Sequence, residues 1–145
     1  MNRIKDTPDH HDADLVLKLY DLRREPVMRQ SRDAMARFLP RSFRDVAELT
    51  KAEHPHNAAF RQVSSYFEMA YGFARHGIVS PDFLAENAGE GLWLFAKVAP
   101  YLEQLRKEYS PTMFKNAEWI VANSASAKQR FDMFTKRVQQ QIQNS

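Results

Sequence analysis

The sequence predicts an all-α fold: an irregular bundle of about seven helices in a single domain. Three observations carry this. Only four glycines occur in 145 residues, strong helix formers are plentiful, and apolar residues recur at three- and four-residue steps instead of alternating. A chain of this length suits one domain, which buries roughly 68–70% of the surface exposed by the unfolded chain and so needs no staples. With no cysteine, disulfides, thiolate metal sites and thiol catalysis are excluded.

The helices follow from local signals. Asp12 reads as the cap of a first helix whose stripe of Leu15, Val16, Leu19 and Leu22 runs to about Arg24, and the polar stretch 1–11 is expected as a disordered tail. Pro26 opens a second helix, Val27–Leu39, with Val27, Met28, Ala34, Met35 and Phe38 inward, and Pro40 ends it. Ser42, with Asp45 three residues on, caps a short helix through Leu49, and His54-Pro55-His56-Asn57 reads as a loop. Ala58–His76 is the clearest helix: Phe60, Val63, Phe67, Ala70, Tyr71 and Ala74 share helical spacing, and Gly77 is placed for a left-handed cap. Tyr66, Met69 and Phe73 give it a second apolar stripe, so it is expected at the centre of the fold.

Ser80-Pro81 starts a short helix holding Phe83 and Leu84. Asn87 and Glu90 repeat the capping spacing and are expected to open Ala88–Tyr109, which Pro100 must kink or divide. Ser110-Pro111 reads as the cap of Thr112–Asn123. Ser124 or Ser126 then opens a last helix with Phe131, Met133, Phe134 and Val138 inward. The helical domain is expected over 12–140, with the glutamine-rich end at 141–145 fraying.

The function classes narrow mainly by exclusion. No stretch approaches the roughly 18 apolar residues of a spanning helix, and the polar first residues lack the apolar region of a secretory signal, so no membrane insertion and a cytoplasmic location are expected. The formal charge of +3 speaks to solubility more than to nucleic acid, although Lys18–Arg44 is locally basic. His-Glu-x-x-His pairs and glycine-rich phosphate loops are absent from the sequence, and the paired Glu-x-x-His motifs of a di-metal bundle are not present, Glu53–His56 in the His54-Pro55 loop having no second copy. His11-Asp12 resembles the paired ligands of metal phosphohydrolases but lacks the further ligands. The pair His54 and His56 has only Glu53 beside it, and Ser64 and Ser65 have no assignable base. No metal, cofactor or catalytic residue is therefore expected.

Charges on faces expected to be buried are more informative, because an unpaired buried charge is expensive. Glu68 lies between Phe67 and Met69, seven residues after Arg61, and Glu90 lies between Gly89 and Gly91. Their partners are expected among Arg23, Arg24 and Arg29 around the Pro26 break. Two readings stay open: a ligand-binding or acid–base site made by Arg23, Arg24, Arg29, Arg61, Glu68 and Glu90, or a cap and an ion pair that pin helices. The basic surface Arg29–Arg44, in particular Arg29, Arg32, Arg37 and Arg41, has two readings as well: an anion or nucleic-acid surface, or a solvated face paired with nearby acids.

The segments Leu19–Arg32 (LYDLRREPVMRQSR), Phe60–Ala70 (FRQVSSYFEMA), Glu86–Arg106 (ENAGEGLWLFAKVAPYLEQLR) and Asn116–Val121 (NAEWIV) resemble a bacterial family of uncharacterised all-helical proteins. The motif residues of that resemblance are Arg23, Arg24, Pro26, Arg29, Arg61, Glu68, Gly89 and Glu90. It implies a helical fold and transfers no activity. The leading expectation is a soluble helical interaction or regulatory module with a protein partner or a second copy of itself. The alternatives are a small-ligand binder or enzyme at the polar set, and anion or nucleic-acid binding by the basic surface.

Overall fold

The computed structural model describes residues 4–145 and contains among them nine α-helices, one 3-10 turn and no strand, folded as one helical domain. The helix count exceeds seven because the chain is divided at both Pro26 and Pro100. Pro26 separates α1 (His10–Arg23) from α2 (Pro26–Arg37), with the Glu25 carboxylate accepting from the Val27 and Met28 amides at 3.1 and 2.9 Å. Pro100 sits in a 3-10 turn, Ala99–Tyr101, that divides α6 (Gly91–Val98) from α7 (Leu102–Glu108). Between them lie α3 (Phe43–Leu49), α4 (Asn57–Arg75) and α5 (Pro81–Asn87), and α8 (Lys115–Asn123) and α9 (Ala125–Gln143) complete the chain.

Several local signals act as expected. Ser42, Ser80 and Ser124 cap α3, α5 and α9, and Gly77 takes φ 76° after α4. The glutamine-rich end, expected to fray over 141–145, instead continues α9 as far as Gln143. Other signals are corrected by tertiary contacts. α1 is capped by Asp9, and Asp12 lies inside the helix, wholly buried. Of the tail expected over 1–11, residues 1–3 lie outside the described residues, Lys5 is ion-paired with Asp12, and His10 and His11 already belong to α1. Asn87 ends α5 instead of capping the next helix, and Glu90 is an N-cap that makes no side-chain capping bond. α8 starts at Lys115, not Thr112. Leu22, Val27 and Met133, expected inward, are exposed because α1, the start of α2 and the middle of α9 each have only one side covered.

α4 is central, packing against α2 on one side and α8 on the other, while α9 lies across α5, α6 and α8. Phe60, Val63, Phe67, Ala70, Tyr71 and Ala74 of α4 are buried. α6 is more enclosed still: each of its residues except Trp93 is buried, as expected of a helix that is apolar nearly all round. The two helices meet at Gly91, where a β-carbon would lie 2.4 Å from the Phe67 ring and 2.7 Å from the Tyr71 hydroxyl. Only glycine permits that approach, which brings Glu90 and Trp93 to the surface shared with α2.

The entry to α8 is built differently from the rest. Phe114, buried between the rings of Phe60 and Phe95, holds φ 56°, an unusual conformation for a bulky residue. The following amides of Asn116 and Ala117 then donate to the Glu68 carboxylate at 3.0 and 2.8 Å. Glu68 from α4 thus does for α8 what a local serine does elsewhere. Burial pushes its carboxyl above the usual range against the lowering effect of those two amides. Glu68→Ala removes both acceptors from an interhelical cap and is expected to cost about 2 kcal/mol. Thermal denaturation followed by circular dichroism checks this as a Tm lower by about 6 °C.

Candidate functional site

Glu68 and Glu90 lie apart in the fold. Glu68 and Arg61 face a recess between α4 and the loop before α8, where Arg61 Nε donates to Asn57 Oδ1 at 3.0 Å. Glu90 is on another face, at the start of α6. The structure therefore does not bring Glu68 and Glu90 together as an acid–base pair.

Glu90 is held by an arginine, though not by one of the three expected partners. Arg32 of α2 grips it in a two-point pair, Nε to Oε2 at 2.5 Å and Nη2 to Oε1 at 2.7 Å, while Nη1 donates to the Arg23 carbonyl at 3.2 Å. One guanidinium thus ties the end of α1, the middle of α2 and the start of α6. Arg29, one helical turn earlier, faces the same side of α2. The guanidinium carbons of Arg23 and Arg24 lie 4.8 and 5.6 Å from the Tyr20 ring centre.

The Arg32–Glu90 pair stands between two adjoining clefts that share these two residues and Ala36. The shallower one, about 640 Å³, is bounded by Pro26, Arg29 and Asp33 of α2. The deeper one, about 450 Å³, lies between α2, α6 and α9 and presents Arg23, Arg32, Arg130 and Arg137 against Glu86 and Glu90. Its apolar lining comes from Met35, Val63, Trp93, Leu94 and Phe134. Trp93 meets Phe134 edge-to-face at 5.4 Å, and the Arg137 guanidinium lies 5.7 Å from the Phe134 ring centre. Arg130 crosses Gly89 so closely that a β-carbon there would fall 2.4 Å from its Cδ. Neither Arg130 nor Arg137 forms an ion pair among the described residues.

Behind Trp93 lies a lysine whose role sequence reasoning missed. Lys97 is 1% exposed, and its ammonium donates to the carbonyls of Met35 and Ala36 at 2.8 and 3.0 Å, 4.5 Å from the Trp93 ring centre. It satisfies the last-turn carbonyls of α2, the electronegative end of that helix. Burial pulls its pKa down to about 7. The signal was a single lysine inside GLWLFAKVA, which reads by eye as a mere interruption of an apolar run. Arg130 and Arg137 were missed because α9 shows its apolar stripe more plainly than its charges.

The remaining sequence candidates serve the fold or stand apart. Asp12 accepts from Lys5 Nζ at 2.5 Å and from the Ser80 amide at 2.9 Å, which leaves it no part in a pair with the exposed His11. His54 and His56 contact each other, the His56 amide donating to His54 Nδ1 at 3.0 Å. No cluster of three or more His, Asp or Glu side chains able to hold a metal ion occurs among the described residues. In the basic arm Arg37 pairs with Asp33 at 3.0 Å, and Arg41 donates to the Ser145 hydroxyl. No helix among the described residues is long and apolar enough to cross a membrane.

A helical domain with an arginine-lined cleft defines the class by architecture alone. The chain belongs to the family described as a domain of unknown function, DUF4760, whose model matches residues 8–124. That stretch contains all four segments on which the resemblance to uncharacterised helical proteins rests. Neither a curated protein nor a solved structure matches the chain.

Proposed function

We propose that the protein is a helical binding module that receives an anionic partner in the cleft between α2, α6 and α9. The observation that carries this reading is the charge balance of the cleft: four arginines against two glutamates, one of which Arg32 already neutralises. A concave wall with a net charge of one sign and low-dielectric apolar residues beneath it concentrates counter-ions and strengthens their binding. The separation of Glu68 from Glu90 favours binding over acid–base chemistry. An interaction or regulatory role in the cytoplasm is the setting in which such a module would act.

Inorganic pyrophosphate is a compact probe for this reading. It is expected to raise the Tm of the wild-type protein, since a ligand that binds only the folded state stabilises it. The pair Arg130→Glu with Arg137→Glu is expected to abolish that rise. Lys128→Glu with Lys136→Glu makes the same change of net charge on exposed positions of α9 outside the cleft and is expected to leave it intact. Equal loss in both double variants would show that net charge, not the cleft, attracts the anion.

A further inference from the structure

We infer that the occupant of the deeper cleft is a small amphipathic acid: one carboxylate, sulfonate or phosphate group carried on an aromatic or branched apolar body. The inference rests on the cleft being an anion-binding site and names what else the ligand must be.

The polar half of the argument is the availability of donors. Arg32 is committed to Glu90 at both ends of its fork, so the cleft arginines without an ion pair among the described residues are Arg23, which lies against Tyr20, and the two on α9, Arg130 and Arg137. The latter two sit seven residues apart on α9, two helical turns, and therefore on nearly the same face. Their contacts are not ionic: Arg130 packs across Gly89, and the exposed Arg137 lies 5.7 Å from the Phe134 ring centre. A guanidinium held by packing alone keeps its donors for an incoming oxyanion.

The apolar half is the surface beside them. Trp93 is half-buried and offers most of the apolar surface, with the buried Phe134, Val63, Met35 and Leu94 behind it. A purely inorganic anion would leave this surface wet. A ligand with a ring or a branched chain covers it and gains the corresponding desolvation. Size favours a small molecule: about 450 Å³ lies within the roughly 300–1,000 Å³ range of small-molecule sites. A nucleic-acid strand would instead need a basic track with successive stacking platforms, and here Arg37 and Arg41 of the basic arm are engaged elsewhere.

The first comparison needs only the wild-type protein: calorimetric titration with 2-naphthalenesulfonate and with methanesulfonate, which share a head group and differ in the body. Naphthalenesulfonate is expected to bind one-to-one and on the order of thirtyfold more tightly, the difference being apolar burial. Trp93→Leu is expected to shrink that advantage several-fold, and Arg130→Gln with Arg137→Gln to weaken both ligands. Equal affinities for the two sulfonates would overturn the amphipathic occupant while leaving the anion site standing. Tight naphthalenesulfonate binding that ignores the loss of Arg130 and Arg137 would overturn the anion site itself.

Discussion

Asp12→Ala is expected to lower stability by about 3 kcal/mol, with Tm falling by about 10 °C, a larger loss than that expected for Glu68→Ala. Asp12 is wholly buried, and its two oxygens face different parts of the chain: Lys5 Nζ ahead of α1 and the Ser80 amide at the start of α5. Alanine strands the buried Ser80 amide and leaves the partly exposed Lys5 without that partner, and a stranded buried donor costs its full desolvation. Asp12→Asn keeps an acceptor for Ser80 but loses the charge that Lys5 faces, so its loss is expected to be intermediate. Lys5→Ala leaves the carboxylate without its cation, and the lysine's nearby second partner Asp9, whose carboxyl Lys5 holds down to about 2, loses support for the α1 cap. Because that pKa is depressed, the Asp9 contribution is present above its ordinary range and fades as pH falls toward 2. Urea unfolding of the two singles and the double checks the coupling: additive losses would deny the pair.

The same residue shows what could and could not be read in advance. Asp12 was visible as an acid near a helix start, and helix starts are local. Its burial was not visible, because one of its partners lies at Ser80, on the far side of α4 in the chain. Ser42, Gly77, Ser80 and Ser124 were legible for the converse reason: each acts within its own turn. Phe114 runs against local preference, since nothing in an aromatic side chain favours φ 56°, and its conformation is maintained by packing on Phe60 and Phe95. Glu90 stood out between two glycines. Those glycines make room for Arg130, Phe67 and Tyr71 side chains, together with the Ala85 carbonyl, more than for another helix backbone. Its true partner, Arg32, was one turn past the nearest arginine proposed. Arg23, Arg29 and Glu90 do line adjoining clefts, whereas Arg61 and Glu68 line another. Periodicity identifies which residues face inward but says little about which inward faces meet.

Lys97 offers the sharpest pH signature. Burial alone lowers its pKa from the ordinary 10.5 to about 7, so the folded state releases a proton that the unfolded chain retains. Between those two values the unfolded state binds more protons, and stability must therefore rise with pH, by at most about 1.4 kcal/mol per unit. Below about pH 7 both states hold the proton and the cost of burying the charge is present in full. Wild type is expected to gain about 2 kcal/mol relative to Lys97→Met between pH 7.5 and 9.5, measured by urea unfolding at each pH. The difference between the two proteins isolates the lysine, because the tyrosines whose pKa values burial raises, Tyr66 and Tyr71, are common to both. A constant gap across that window would mean that the ammonium stays charged against the Met35 and Ala36 carbonyls throughout. In that case the end of α2, which forms one wall of the cleft, would be pinned by a permanent cation beneath Trp93 and not by a proton that neutral pH can remove.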